Sequence, residues 1–182
     1  MSVEKTTTVE SLLGVLSLKP MSGYEIRQMM EQSTANFWSE SFGQIYPALK
    51  SMLADDLVEI VAEAKITQNA KGRKVYRITQ AGRDRLRAWL EVPARPQVNR
   101  DELLLKVFFG DQAEPGVIAA QVQRSRERFE ADLERYQATQ RKIEALYGDH
   151  PAMPYWRMTV RYGQAEARMV MAWCDETLKQ LQ

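Results

Sequence analysis

A short amphipathic stretch that passes at once into a basic hairpin constrains this chain more than any other feature. It runs from Gly43 to Thr79, opening GQIYPALKSMLADDLVEI and closing KGRKVYRIT. In its first half Ile45, Leu49, Met52 and Leu53 recur at helical spacing, which predicts a helix over residues 43–54 with those four turned to a core. Ser39, Ser41, Gln44, Tyr46, Lys50 and Ser51 are left for the polar side. Pro47 is placed in the first turn, where its missing N–H does no harm, and Asp55-Asp56 stops the helix. LVEIVAEAKI then alternates as a strand does. Residues 66–73 form a tip with Gly72 for the turn, and KVYRIT is the returning strand. Lys71, Arg73, Lys74 and Arg77 stand at or beside the tip. A helix followed directly by a basic hairpin predicts a winged helix-turn-helix. The helix can enter a DNA major groove while the wing grips phosphate.

Charge supports this reading by its position, because the net charge of the 182 residues is only +1. From Lys71 to Arg87 there are seven cations and one anion, Asp84. That is a focused patch on an otherwise balanced chain; the competing reading is a solvated face.

Around this stretch the pattern is helical. VESLLGVLSL at 9–18 makes a compact apolar helix that Lys19-Pro20 ends. Ser22 caps a second helix, with Glu25 completing a capping box. Tyr24 or Ile26, with Met29 and Met30, face inward. Residues 34–42 read as an aromatic loop, with Phe42 packed inward and Ser41 capping the third helix. Thr79 caps a fourth helix, QAGRDRLRAWLEV, whose buried stripe is Leu86, Trp89 and Leu90. PARP at 93–96 breaks the chain, giving domains at 1–94 and 95–182. Residues 99–110 are apolar on most sides, as for a helix buried between two units. From about Pro115 to Tyr147, Ile118, Val122, Ser125, Phe129, Leu133, Tyr136, Gln140, Ile143 and Tyr147 step by three and four like a coiled-coil seam. The last helix, about 155–181, carries two stripes. One is Tyr155, Met158, Tyr162, Ala165, Met169 and Ala172. The other is Trp156, Val160, Gly163, Ala167, Val170, Cys174, Leu178 and Leu181. A face that broad needs cover on both flanks, which implies a partner subunit. The fold class expected is mainly α with a small β-wing: an N-terminal winged helix-turn-helix plus a C-terminal helical dimerisation domain.

Composition excludes other classes. Apolar and charged fractions of 45% and 27% are those of a folded, water-soluble chain. The longest apolar runs are too short to cross a bilayer. The N-terminus MSVEKTTTVE is polar, without a cleavable signal, so the expected compartment is the cytoplasm. Cys174, the one cysteine, sits in an apolar stripe and reads as core. There is no Gly-rich phosphate loop, no metal-ligand cluster and no triad, so no catalytic residue, metal or cofactor is assigned, and an enzyme is not expected.

The chain resembles PadR-type transcriptional regulators over nearly its whole length. The resemblance rests on LLGVLSLKPMSGYEI at 12–26, FWSESFGQIYPALKSML at 37–53, LVE at 57–59, RKVYRITQAG at 73–82 and RDELLLKVFFG at 100–110. The two long C-terminal helices resemble the larger subgroup, whose C-terminal region is named for a virulence activator. The resemblance implies a homodimeric winged-helix binder of double-stranded DNA whose last helices pack across the dimer. It also implies a repressor released by a small, phenolic or aromatic effector. Two positions depart from the pattern: Asp56 replaces a usual glycine, and Ser51 a common second cation after Lys50.

The residues assigned to DNA are therefore Gln44, Tyr46 and Lys50 as reader, and Lys71, Arg73 and Lys74 as clamp. Amide and hydroxyl groups reach base edges or phosphates; the alternative is ordinary polar surface. Arg77 faces solvent or helps the wing, and Arg83, Arg85 and Arg87 coat the fourth helix. Tyr76 and Ile78 belong to the wing's core. For a ligand, Trp38, Trp156, Arg157 and Arg161 are the candidates. They would line an apolar pocket with other aromatic residues, an arginine offering its bidentate fork to a carboxylate. Dimer-interface packing competes with that reading. The alternative function is a helical dimeric ligand- or protein-binding module that no longer recognises a DNA sequence.

Overall fold

The computed structural model describes residues 3–35, 37–64, 73–96 and 100–181. In order these form α1 (Val3–Leu16), β1 (Met21–Ser22), α2 (Gly23–Ser33), α3 (Phe42–Ala54), β2 (Val58–Ala64), β3 (Arg73–Ile78), α4 (Gln80–Glu91), α5 (Glu102–Phe108), a short 3₁₀ turn (Gly110–Gln112), α6 (Val117–Tyr147) and α7 (Met153–Gln180). They divide into two compact units, residues 1–96 and 97–182. No helix among the described residues is long and apolar enough to cross a membrane.

The first unit is a helical core closed by a small sheet. Leu12, Leu13 and Leu16 of α1, Ile26 and Met30 of α2, and Ile45, Leu49 and Met52 of α3 are buried against one another. α1 begins earlier than the sequence predicts and ends two residues sooner. Its last turn tightens, with Leu18 N–H donating to Val15 at 3.2 Å, before Lys19-Pro20. The β1 strand escaped the sequence reading because two residues carry no periodicity. It joins β3 to make an antiparallel sheet of order β1-β3-β2. Tyr76 and Ile78 of β3 are buried, as their alternation predicts.

Caps fix the helix starts. Ser22 N–H donates to the Glu25 carboxylate at 2.8 Å, and Glu25 N–H to Ser22 Oγ at 3.3 Å. Thr79 Oγ1 accepts from Gly82 N–H at 3.1 Å. Tyr24 stays exposed while Ile26 is the inward residue. The C-terminus of α3 is a full Schellman motif. Leu57 N–H reaches Met52 at 2.8 Å, Asp56 N–H reaches Leu53 at 3.4 Å, and Asp56 takes φ 53°.

Three expectations need correction here. Phe42 begins α3 and is half-buried on the surface, where its ring stacks offset against Tyr24 and Tyr46. With the helix starting there, Pro47 falls in the second turn; both it and Gly43, whose carbonyl loses its helical donor, are exposed to water. On α4, Trp89 and Leu90 are exposed and Leu86 is half-buried, while Gly82 is the buried residue. A Cβ on Gly82 would collide with the Leu57 carbonyl, so the start of α4 packs directly on the chain there.

In the second unit α6 and α7 pack as an antiparallel pair. The Tyr136 ring lies on Gly163, where an added Cβ would come within 2.5 Å of it. Gln164 Nε2 donates to Gln140 at 2.8 Å, and Arg126 pairs with Asp175 at 2.6 Å. The α6 seam is buried or half-buried from Ile118 to Ile143, and Tyr147 at its end is exposed. Of the α7 stripes, the one from Trp156 to Leu178 is packed, with Gly163, Ala167 and Cys174 buried. The other is open to solvent: Tyr155, Met158, Tyr162 and Met169 are 69%, 63%, 69% and 61% exposed. Burial pushes the Cys174 thiol above its ordinary pKa, which suits packing and not reactivity. The helix expected to be buried over 99–110 is shorter, and none of α5 is buried; Leu104, Leu105, Phe108 and Phe109 are exposed.

Candidate nucleic-acid interface

The exposed surface of α3 carries the predicted reader, Tyr46 and Lys50 on one side of the buried stripe and Gln44 on the other. Ile45, Leu49 and Met52 hold the helix to the core, which turns Gln44, Tyr46, Lys50 and Ser51 to solvent. Gln44 has a second task. Its side-chain oxygen accepts from the Ser41 N–H at 2.9 Å and the Ser41 hydroxyl at 2.8 Å. Its acceptor is thereby committed to the helix start and its NH₂ remains the outward group. Such an amide can donate to a guanine or thymine acceptor, whereas bidentate reading of adenine requires opening the cap.

Tyr46 is held by neighbours that the sequence reading did not join to it. Its ring stacks on Phe42 with centroids 5.9 Å apart, and Phe42 stacks on Tyr24 at 6.4 Å. The Arg27 guanidinium sits 4.2 Å over the Phe42 ring and pairs with Glu31 at 2.6 Å. The ring's other support is Gly23, where a Cβ would fall 2.8 Å from Tyr46 Cε1. Tyr46 is half exposed and yet laterally fixed, a preorganised hydroxyl on the α3 edge. The spacing Phe42–Tyr46 on one helix and Tyr24–Arg27 on the other was the available signal.

The hairpin pairs Val58 with Ile78, Glu59 with Arg77 and Ile60 with Tyr76. The register then shifts, and Ala62 faces Val75, Glu63 faces Lys74 and Ala64 faces Arg73. The extra residue, Val61, makes a bulge that increases local twist. Lys74 is exposed on β3. Lys71 and the tip with Gly72 lie outside the described residues, as does the side chain of Arg73.

The basic cluster is partly spent internally. Arg77 pairs with Glu59 at 2.8 Å, Arg87 with Asp84 at 3.0 Å, and Arg85 with Glu10 of α1 at 2.9 Å. The Glu10 side chain is only 3% exposed, so Arg85 fastens α4 to α1 and does not merely coat α4. Counting cations along the sequence overstated the patch because Glu59 and Glu10 lie outside the window counted.

The ligand candidates fall in both units. The Trp38 indole N–H donates to buried Glu40 at 2.9 Å, and the Ser11 hydroxyl reaches the same oxygen at 3.4 Å, tying the loop to α1. Trp156 is stacked on His150 at 4.7 Å and meets Tyr147 edge-on at 5.8 Å. Arg157 and Arg161 are exposed on α7. No group of three or more metal-ligating side chains occurs among the described residues.

Known proteins share this architecture. The family described as transcriptional regulator PadR-like matches residues 12–88, and the one described as virulence activator alpha C-term matches residues 99–182. The chain is 31% identical over 100 residues to the negative transcriptional regulator PadR of Bacillus subtilis, a match spanning 54% of each chain. That is about half the length of the relative. The structure of Bacillus subtilis PadR in complex with operator DNA superposes with a TM-score of 0.82 at 21% identity, over 96% of this chain and 98% of that one. The same protein in complex with p-coumaric acid gives 0.76 at 21% identity, over 94% and 96%. The Vibrio cholerae virulence activator AphA gives 0.71 at 29% identity, over 96% and 97%.

Proposed function

Because this chain belongs to the PadR-like family of transcriptional regulators, with a C-terminal region of the virulence-activator type, we propose that it is a homodimeric, sequence-specific binder of double-stranded DNA that represses transcription. The observation that carries the reading is the exposed surface of α3, with a fixed Tyr46 and Lys50 one turn apart on one side and the Gln44 amide at the helix start on the other, followed at once by the β2–β3 hairpin. Gln44, Tyr46 and Lys50 read the major groove, and Lys71, Arg73 and Lys74 grip phosphate beside it. The open stripe on α7 supports the dimer. Its exposed tyrosines and methionines form the kind of apolar face that a subunit interface covers. A two-fold pair of heads selects a palindromic or near-palindromic site. Release follows when a small aromatic acid binds one arrangement of the heads better than the other; the p-coumaric acid complex of the Bacillus relative supports that class of effector.

Fluorescence anisotropy on the DNA upstream of its own gene tests the reading. Wild type should bind with a steep salt dependence. Replacing Lys71, Arg73 and Lys74 by alanine should flatten the slope by about 0.9 per lost phosphate contact. An unchanged slope removes the wing assignment. Absence of any sequence-specific binding overturns the reading and leaves the helical ligand- or protein-binding module.

A further inference from the structure

Within the second unit, α5 and α6 flank a groove open to solvent, of about 270 Å³, lined by Glu102, Leu103, Lys106, Gln121, Arg124, Ser125 and Arg128. Its charge is lopsided. Three cations face it with one carboxylate, and that carboxylate is already engaged: Lys106 Nζ lies 2.7 Å from Glu102. The Lys106 ammonium beside it holds the Glu102 carboxyl below its ordinary pKa, so Glu102 stays charged.

Arg124 and Arg128 stand one turn apart on the same face of α6, where like charges disfavour each other. Two neighbouring carboxylates of α6 are paired with other cations, Glu130 with Arg126 at 3.1 Å and Asp132 with Arg135 at 3.0 Å, while Glu127 accepts from the neutral Gln123 amide at 2.8 Å. Arg126 and Arg135 thus have partners on their own helix or on α7, and no ion pair among the described residues involves Arg124 or Arg128. The Arg128 guanidinium rests 4.7 Å over the Phe129 ring, which gives it a seat without neutralising it. Gln121 adds a neutral hydrogen-bonding group and Leu103 an apolar wall, while the Ser125 side chain is already hydrogen-bonded to Cys174 of α7.

We propose that this groove is a binding site for a compact dianion, a small dicarboxylate or phosphate, held by the Arg124 and Arg128 forks with Lys106 at its edge. Two guanidinium groups one turn apart match two anionic oxygens or the ends of a short diacid. The volume, just under the usual range for ligand pockets, favours a molecule of few heavy atoms. The site is independent of the DNA-binding reading, and its test uses no DNA.

Titration calorimetry of the full chain at constant ionic strength, with succinate, inorganic phosphate and neutral succinamide as separate titrants, decides it. Saturable binding of succinate or phosphate is expected, with none of succinamide, and the two dianions show which oxyanion the groove prefers. Both arginines are exposed, so R124Q/R128Q should keep its helical circular dichroism while weakening the dianion at least tenfold. K106Q should weaken it less. No saturable binding of either dianion, equal binding of succinamide, or undiminished binding by folded R124Q/R128Q overturns the proposal.

Discussion

Asp56 shows how a single residue can carry a departure without breaking a fold. It holds φ 53° at the end of α3, a conformation that glycine takes without steric cost. Its backbone still serves the Schellman motif and accepts from the Thr79 hydroxyl at 2.6 Å, joining the end of α3 to the cap of α4. Asp56→Gly removes a left-handed strain of about 1–2 kcal/mol and adds back roughly 0.5–1 kcal/mol of glycine entropy. The expected result is a net gain of about 0–1.5 kcal/mol, seen as a thermal melt that is unchanged or raised by a few degrees. A lowered melting temperature would mean that the aspartate side chain contributes a contact of its own. The residue scale also separates what spacing reveals from what it hides. Ser22, Glu25 and Thr79 were readable as caps because their partners lie three residues away. Glu10 and Arg85 were not, because 75 positions separate them.

At the scale of elements, α2 and α3 are coupled through the Tyr46 ring. Gly23 opens α2 and leaves room for that ring, and Phe42 with Arg27 closes the other side. If Tyr46 reads DNA, a methyl group on Gly23 acts at a distance by pushing the ring from its seat. Tyr46→Ala should weaken binding to the cognate duplex about tenfold, on the order of 1.4 kcal/mol. Gly23→Ala should lose a similar factor while the far-ultraviolet spectrum stays native. Unaltered affinity in both variants would take Tyr46 out of the interface. The α3 helix itself was legible, since its core positions follow a strict period. In the stack around Tyr46 only the pairs within each helix, Phe42–Tyr46 and Tyr24–Arg27, were legible; that the two pairs meet was not, because no local pattern encodes the packing angle of two helices. The tail of α4 failed for the same reason. Trp89 and Leu90 have the right spacing for a buried stripe, but the close approach is at Gly82 and both side chains are exposed.

For the whole molecule, the question is what covers α7. One stripe is satisfied by α6, and the other presents Tyr155, Met158, Tyr162 and Met169 to water. If a second copy covers it, Met158→Glu with Tyr162→Glu should place carboxylates in an apolar contact and convert a dimer to a species of 21.0 kDa in sedimentation. A wild-type chain that already sediments as a monomer would contradict the two-stripe argument. The sequence by itself determined the helix-then-hairpin order, the caps, the seam of α6 and both stripes of α7. These are properties of spacing within one element, where backbone geometry converts a period directly into a face. Tertiary structure alone decided which stripe is covered, which cations are already paired, and that Gln44 spends its oxygen on its own helix. Those outcomes depend on groups brought together from distant positions, so only the folded chain sets which contacts each side chain makes and which it leaves for a partner.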